Sequence, residues 1–231
     1  MPVAIVTGAS EGFGRALAED LARDGWDVVI DARHAGPLGA AASALTALGA
    51  TVHAIVGDVA DDGHREAVMG AAESLGRLDL LVNNASALGP TPLPELASYP
   101  LDDLAEVYRV NVLAPLALIQ RALPALVASK GVIVNVTSDA AVEAYDGWGG
   151  YGSSKAALEQ VSQVLAGEQP GVRVYRFDPG DMRTRMHQDA FPGEDISDRP
   201  PPTTVVPALR RLLRDSPPSG RYRASQLLES V

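Results

Sequence analysis

Tyrosine and lysine stand four residues apart in the run Gly149-Gly150-Tyr151-Gly152-Ser153-Ser154-Lys155. On a helix, positions i and i+4 share one face. A free phenol ionises near pH 10, so using it as a base near neutrality takes roughly 4 kcal/mol of preference for the phenolate. A neighbouring ammonium lowers such a pKa by about 1–3 units, and a helix N-terminus acts in the same direction. The spacing therefore predicts proton transfer by Tyr151 with Lys155 as electrostatic assistant. The chain has six tyrosines, and its lysines are Lys130 and Lys155, so only about 0.05 such pairs are expected by chance. The helix is read as beginning at Tyr151, which puts Lys155 in its first turn, where a cation opposes the helix dipole. A residue set against local preference marks function before stability.

Two further residues fit a proton-transfer site. Ser138 follows the apolar run 132–137, at the carboxyl edge where open α/β sheets bind ligands. A hydroxyl there can polarise a carbonyl oxygen. Asn111 lies inside a long helical stretch, 101–128, four residues before Pro115. Proline has no N–H, so the Asn111 carbonyl loses its helical partner, and a water could link it toward Lys155.

A cofactor loop is predicted at Thr7-Gly8-Ala9-Ser10-Glu11-Gly12-Phe13-Gly14, between the first strand and the first helix. Glycines there let backbone approach a pyrophosphate, whose charge suits the helix N-terminus. The second strand ends Asp31-Ala32-Arg33. Its tip faces the adenosine ribose, where an acid favours NAD and arginine accommodates the extra phosphate of NADP. Asp31 could bond ribose hydroxyls and Arg33 could pair with a phosphate. The expectation is NADP(H), with NAD(H) as the alternative, although Glu11 in the same neighbourhood would repel the phosphate.

The elements that must position these groups alternate. Strand-like runs fall at 3–7, 27–31, 51–56, 78–82, 132–137 and 172–177, with a short last strand at 221–224. Helical stretches lie at 12–24, 37–48, 62–75, 101–128, 151–167 and 203–214, and the acid pairs Asp61-Asp62 and Asp102-Asp103 suit helix starts. Apolar runs without alternation are strands buried on both faces. The prediction is an α/β fold of about seven strands, a doubly wound parallel sheet of the Rossmann kind, forming one domain over 1–231. Two irregular stretches, 87–100 and 183–204, are read as loops, and the second as a substrate loop.

The net charge of −10 disfavours binding to nucleic acid or anionic membrane. The chain has no cysteine, which excludes disulfides and thiolate sites. Its histidines show no metal-ligand spacing, so no metal is expected. No uncharged run reaches the roughly 18 apolar residues of a membrane span, and a cytoplasmic protein is expected.

Together these residues resemble the short-chain dehydrogenase/reductases, over Val3 to about Thr184. Thr7-Gly8-x-x-x-Gly12-x-Gly14 is similar to that family's cofactor loop. Asp58-Val59 resembles its adenine-contacting pair and Asn83-Asn84-Ala85 its strand-four motif. Asn111, Ser138, Tyr151 and Lys155 resemble its catalytic tetrad, and Pro179-Gly180 with Thr184 the segment that holds the nicotinamide carboxamide. The resemblance implies that Tyr151 exchanges a proton with the substrate oxygen, which Ser138 orients. Lys155 would bind the nicotinamide ribose, and Asn111 would support a water relay. The implied cofactor contacts are Gly8, Ser10, Gly12, Phe13, Gly14, Arg33, Asp58, Val59, Asn84, Ala85, Tyr151, Lys155, Pro179, Gly180, Met182 and Thr184. The family's NAD-specific acid would fall at Ala32, and Ser86 replaces the usual glycine after Asn-Asn-Ala. Ala140, Val142, Tyr145, Trp148, Met182, Met186 and Phe191 are the expected pocket side chains, and a small uncharged carbonyl or alcohol the expected substrate. NADPH-linked ketone reduction is the leading expectation. NAD-linked alcohol oxidation and a non-catalytic redox sensor are the alternatives. A homodimer or homotetramer through 101–128 and 151–167 is implied.

Overall fold

The computed structural model describes residues 1–229. Strands β1 (Val3–Val6), β2 (Asp27–Ala32), β3 (Val52–Val56), β4 (Leu80–Asn83), β5 (Val132–Val136), β6 (Arg173–Asp178) and β7 (Gly220–Arg223) form one sheet in the order β3-β2-β1-β4-β5-β6-β7. Every neighbouring pair is parallel. The order reverses between β1 and β4, and a crevice opens there beyond the strands' carboxyl ends.

The sheet's two faces explain the unbroken apolar runs. Ala4 and Val6 of β1 join Val28, Ile30, Val82 and Phe177 under α1 (Gly12–Arg23), α2 (Ala35–Ala47) and α8 (Val206–Asp215). Val3 and Ile5 join Val29, Leu81 and Ile133 under α3 (Asp62–Ser74), α5 (Ala114–Ser129) and the end of α6 (Gly149–Glu168). The inner strands β1, β2, β4, β5 and β6 thus bury both of their alternating faces, whereas the edge strands β3 and β7 stay partly open to solvent. Asp61 caps α3 by accepting from the Gly63 N–H, as the acid pair predicts.

Three elements differ from the sequence reading. The 101–128 helix is divided into α4 (Leu101–Tyr108) and α5 by a π turn at Arg109–Leu113. There the Ala114 N–H reaches back to the Arg109 carbonyl, and the Pro115 nitrogen has no hydrogen to give Asn111. The rod Leu101–Ser129 is long and apolar enough to cross a bilayer, but its buried Leu118, Ile119, Ala122 and Leu126 lie in the core under the sheet. The stretch 183–204 is not structureless: Thr184 caps α7 (Arg185–Ala190) by accepting from the His187 N–H, and a 3-10 turn forms at Pro202–Thr204. Finally, α6 begins at Gly149, so Lys155 lies in its second turn, not the first. The dipole conflict expected of Lys155 is weaker for it. A last helix, α9 (Ala224–Glu229), follows β7.

Candidate active site

The crevice is a cleft of about 310 Å³, and one wall is the glycine loop. Gly8 and Gly12 hold φ of 65° and 61°, a region that glycine enters without a Cβ penalty. A Cβ on Gly8 would stand 2.9 Å from the Ala85 Cα. Asn84 pins the loop by donating through Nδ2 to the carbonyls of Thr7 and Gly8, at 2.8 and 3.2 Å. The first turn of α1 contains no acidic residue, and no side chain caps it, so its N–H groups are free to face an anion. Gly8, Ser10, Gly12, Phe13, Arg33, Asp58, Val59, Asn84, Ala85, Pro179, Gly180, Met182 and Thr184 all line the cleft, as do Tyr151 and Lys155. Gly14 does not: it packs on Asn84, where a Cβ would lie too close to Nδ2.

At the tip of β2 the sequence reading needs correction. Asp31 does not face a ribose with free oxygens. Its Oδ1 accepts from the Gly8 N–H at 2.6 Å and its Oδ2 pairs with His64 Nε2 at 2.9 Å, both side chains being buried. A buried carboxylate needs such partners. Arg33 is exposed, with no ion-pair partner among the described residues.

Ser138, Tyr151 and Lys155 converge across the cleft from β5's end and α6. Lys155 is buried; its Nζ lies 5.5 Å from the centre of the Tyr151 ring and donates to the Val136 carbonyl at 2.9 Å. Burial pushes the Lys155 ammonium down to about 8. The Tyr151 phenol moves opposite to expectation. Burial pushes its pKa up, the hydroxyls of Ser86 and Ser138 oppose this, and the carboxylates of Asp178 and Asp139 reinforce it. Desolvation of the phenolate outweighs the help of its neighbours.

Asn111 is fully buried behind the cleft. The π turn aims its side chain inward. There Nδ2 donates to the Ala87 carbonyl and to Ser154 Oγ, at 2.8 and 2.9 Å, while Oδ1 accepts from the Ala87 N–H and the Ser86 hydroxyl. Asn111 therefore ties the neighbour of Lys155 rather than Lys155 itself. Ser86 thus serves both Asn111 and the phenol, a role the sequence signals only by its departure from glycine.

Ser138 Oγ donates to Asp139 Oδ1 at 2.9 Å. Its carbonyl accepts from Arg221 of β7, which also holds Glu159 at 2.8 Å and Asp178 at 2.9 Å. Nothing local in the sequence links Arg221 to this edge. On the substrate side, Tyr151 packs with Leu88, Ala140 and Ala190, against Leu93, Trp148, Met186 and Phe191. Val142 and Tyr145 do not join them. The turn after Ser138 carries them to the surface, where the Tyr145 hydroxyl shares its one proton between the carboxylates of Glu143 and Asp139, which push its pKa up to about 12.

Comparison with known proteins gives a consistent picture. A family model described as short chain dehydrogenase matches residues 2–195. A serine 3-dehydrogenase of Rhizobium radiobacter is 35% identical over 187 residues, covering 79% of this chain and 72% of that protein. A sepiapterin reductase of Mus musculus is 35% identical over 202 residues, covering 80% and 76%. A solved short-chain dehydrogenase of Shigella flexneri, complexed with NADP, superposes with a TM-score of 0.90 at 30% identity, covering 97% of each chain.

Proposed function

The chain belongs to the short-chain dehydrogenase family and is an oxidoreductase of CH–OH and C=O groups using a nicotinamide dinucleotide; within that class we propose that it reduces small, uncharged ketones with NADPH. The observation that carries the reading is the tip of β2, where both Asp31 oxygens are engaged and Arg33 is left exposed. Arginine pairs with a phosphate through charge-assisted, bidentate bonds. The NADP complex of the Shigella flexneri relative supports the same choice. Arg33→Ala is expected to weaken NADPH binding about 10- to 100-fold and to leave NADH binding within about threefold, as titration of each cofactor would show. Equal effects on both would sink the NADPH assignment.

In this reading a dinucleotide held by the glycine loop, Asn84 and Lys155 would supply hydride chemistry, and Tyr151 gives its hydroxyl proton to the carbonyl oxygen of the substrate. A phenol whose pKa is raised by burial is fully protonated at neutral pH, ready to act as the acid. Ser138 orients the oxygen, once its O–H turns from Asp139 to the substrate. Lys155 holds the ribose side and favours the phenolate as the proton leaves. Asn111 acts through Ser154 and Ser86, fixing the turn that aims Lys155. The loop predicted at 183–204 is the substrate loop, since Met186, Ala190 and Phe191 pack beside Tyr151 and Trp148. This apolar wall supports an uncharged substrate: of the charged side chains lining the cleft beside it, Asp139 and Asp181 oppose an anion, and Arg185 is paired with Asp189. Exposed Leu101, Leu113, Val127 and Val164 on α4 to α6 support self-association through these helices.

A further inference from the structure

His64 belongs to none of the motifs above, yet it reaches the cofactor loop through one residue. It sits on α3 with its side chain 4% exposed, and its Nε2 lies 2.9 Å from Asp31 Oδ2. The other Asp31 oxygen takes the Gly8 N–H at 2.6 Å, and Gly8 is held in a left-handed conformation. Gly57, just past β3, makes room for the ring: a Cβ there would collide with His64 Nδ1. With Nε2 donating, His64 satisfies the half of the carboxylate that the loop does not use. Asp31 and Arg33 both line the cleft, so the state of this carboxylate bears on the charge that a ribose 2′ substituent meets.

We propose that His64 is a positioning residue for cofactor choice, holding the Asp31 carboxylate on the loop side so that Arg33 alone addresses the ribose 2′ position. The inference rests on the NADPH reading given above. Without the imidazole, Asp31 keeps its charge and gains an unused oxygen. That oxygen can accept from the hydroxyls of an unphosphorylated ribose, and it repels a 2′-phosphate. Both effects move selectivity the same way, toward NADH.

The test is equilibrium binding of NADPH and NADH to the full chain, with thermal unfolding run on every variant. His64→Leu is expected to lower the NADPH-over-NADH affinity ratio roughly tenfold. His64→Asn, whose shorter amide falls short of Asp31, should do the same and serves if the leucine variant does not fold. His64→Gln can still donate and should keep the ratio within about threefold. Adding Asp31→Asn to the ratio-lowering variant should restore the ratio, because the freed charge is then gone. Loss of affinity for both cofactors alike, an unchanged ratio, or no rescue by Asp31→Asn would each overturn the proposal while leaving the NADPH reading intact. A native protein that itself prefers NADH would overturn that reading, and this proposal with it.

Discussion

Tyr151→Phe is expected to lower kcat/KM for ketone reduction by about 10³-fold while NADPH affinity stays within about threefold. The phenol is the proposed proton donor, and a positioned general acid contributes about 10²–10⁴-fold. The ring itself remains, packed beside Leu88 and Ala140 and edge-on to Trp148 at 5.7 Å, so the wall of the pocket is preserved. Folding stability should change by no more than about 1 kcal/mol, the ordinary net contribution of one hydroxyl's hydrogen bonds. Steady-state kinetics, cofactor titration and thermal unfolding separate the three quantities. A phenylalanine variant that turns over at the native rate would remove Tyr151 from the chemistry.

Lys155→Met is expected to be more stable than the native chain at pH 7, by about 2 kcal/mol, and nearly inactive. Burial lowers the Lys155 pKa from 10.5 to about 8, so at neutral pH the folded state holds a charge it disfavours by roughly 3 kcal/mol. Losing the bond to the Val136 carbonyl returns about 1 kcal/mol of this. The sign follows from proton linkage. Below pH 8 folded and unfolded states are both protonated and the full penalty applies. Between about 8 and 10.5 the unfolded state binds more protons, so native stability rises with pH, and the advantage of methionine shrinks across that window. Urea unfolding of both proteins at pH 7 and pH 9.5 measures this directly. A methionine variant less stable than native at pH 7 would refute the account. Activity runs the other way, since methionine cannot favour the phenolate. A loss of about 10³-fold in kcat/KM is expected.

The difference between these residues and others explains how far the sequence could be read. The parallel sheet was legible because strands buried on both faces are written as runs such as Val28-Val29-Ile30, and Tyr151 with Lys155 because one helical turn places them together. The π turn was half legible: Pro115 showed which carbonyl would lose its partner, but not that the helix would widen to swing Asn111 inward. The helix at Arg185–Ala190 was hidden because six residues between proline-rich flanks give no periodicity to detect. The direction of the Tyr151 pKa shift is not legible in the sequence, because desolvation depends on every element around a group and the sequence shows only its neighbours. The partners of Asp31 are hidden for a related reason: His64 is 33 positions away, and no local pattern ties a carboxylate to a histidine at that distance.

Arg221 draws a temporal consequence from the architecture. It bonds the Ser138 carbonyl from 83 positions away and Asp178 from 43, and in synthesis from the N-terminus it follows every other residue of the site. The glycine loop, β5 and α6 can all have taken shape while β7 is still to come. Docking of β7 on β6 then brings a guanidinium to the carboxylates of Glu159 and Asp178 and to the carbonyl of Ser138. Contacts of such separation form late. The contacts between Arg221 and the Ser138 backbone are therefore expected to be the last of the proposed site to form, after the glycine loop and the Tyr151–Lys155 pair.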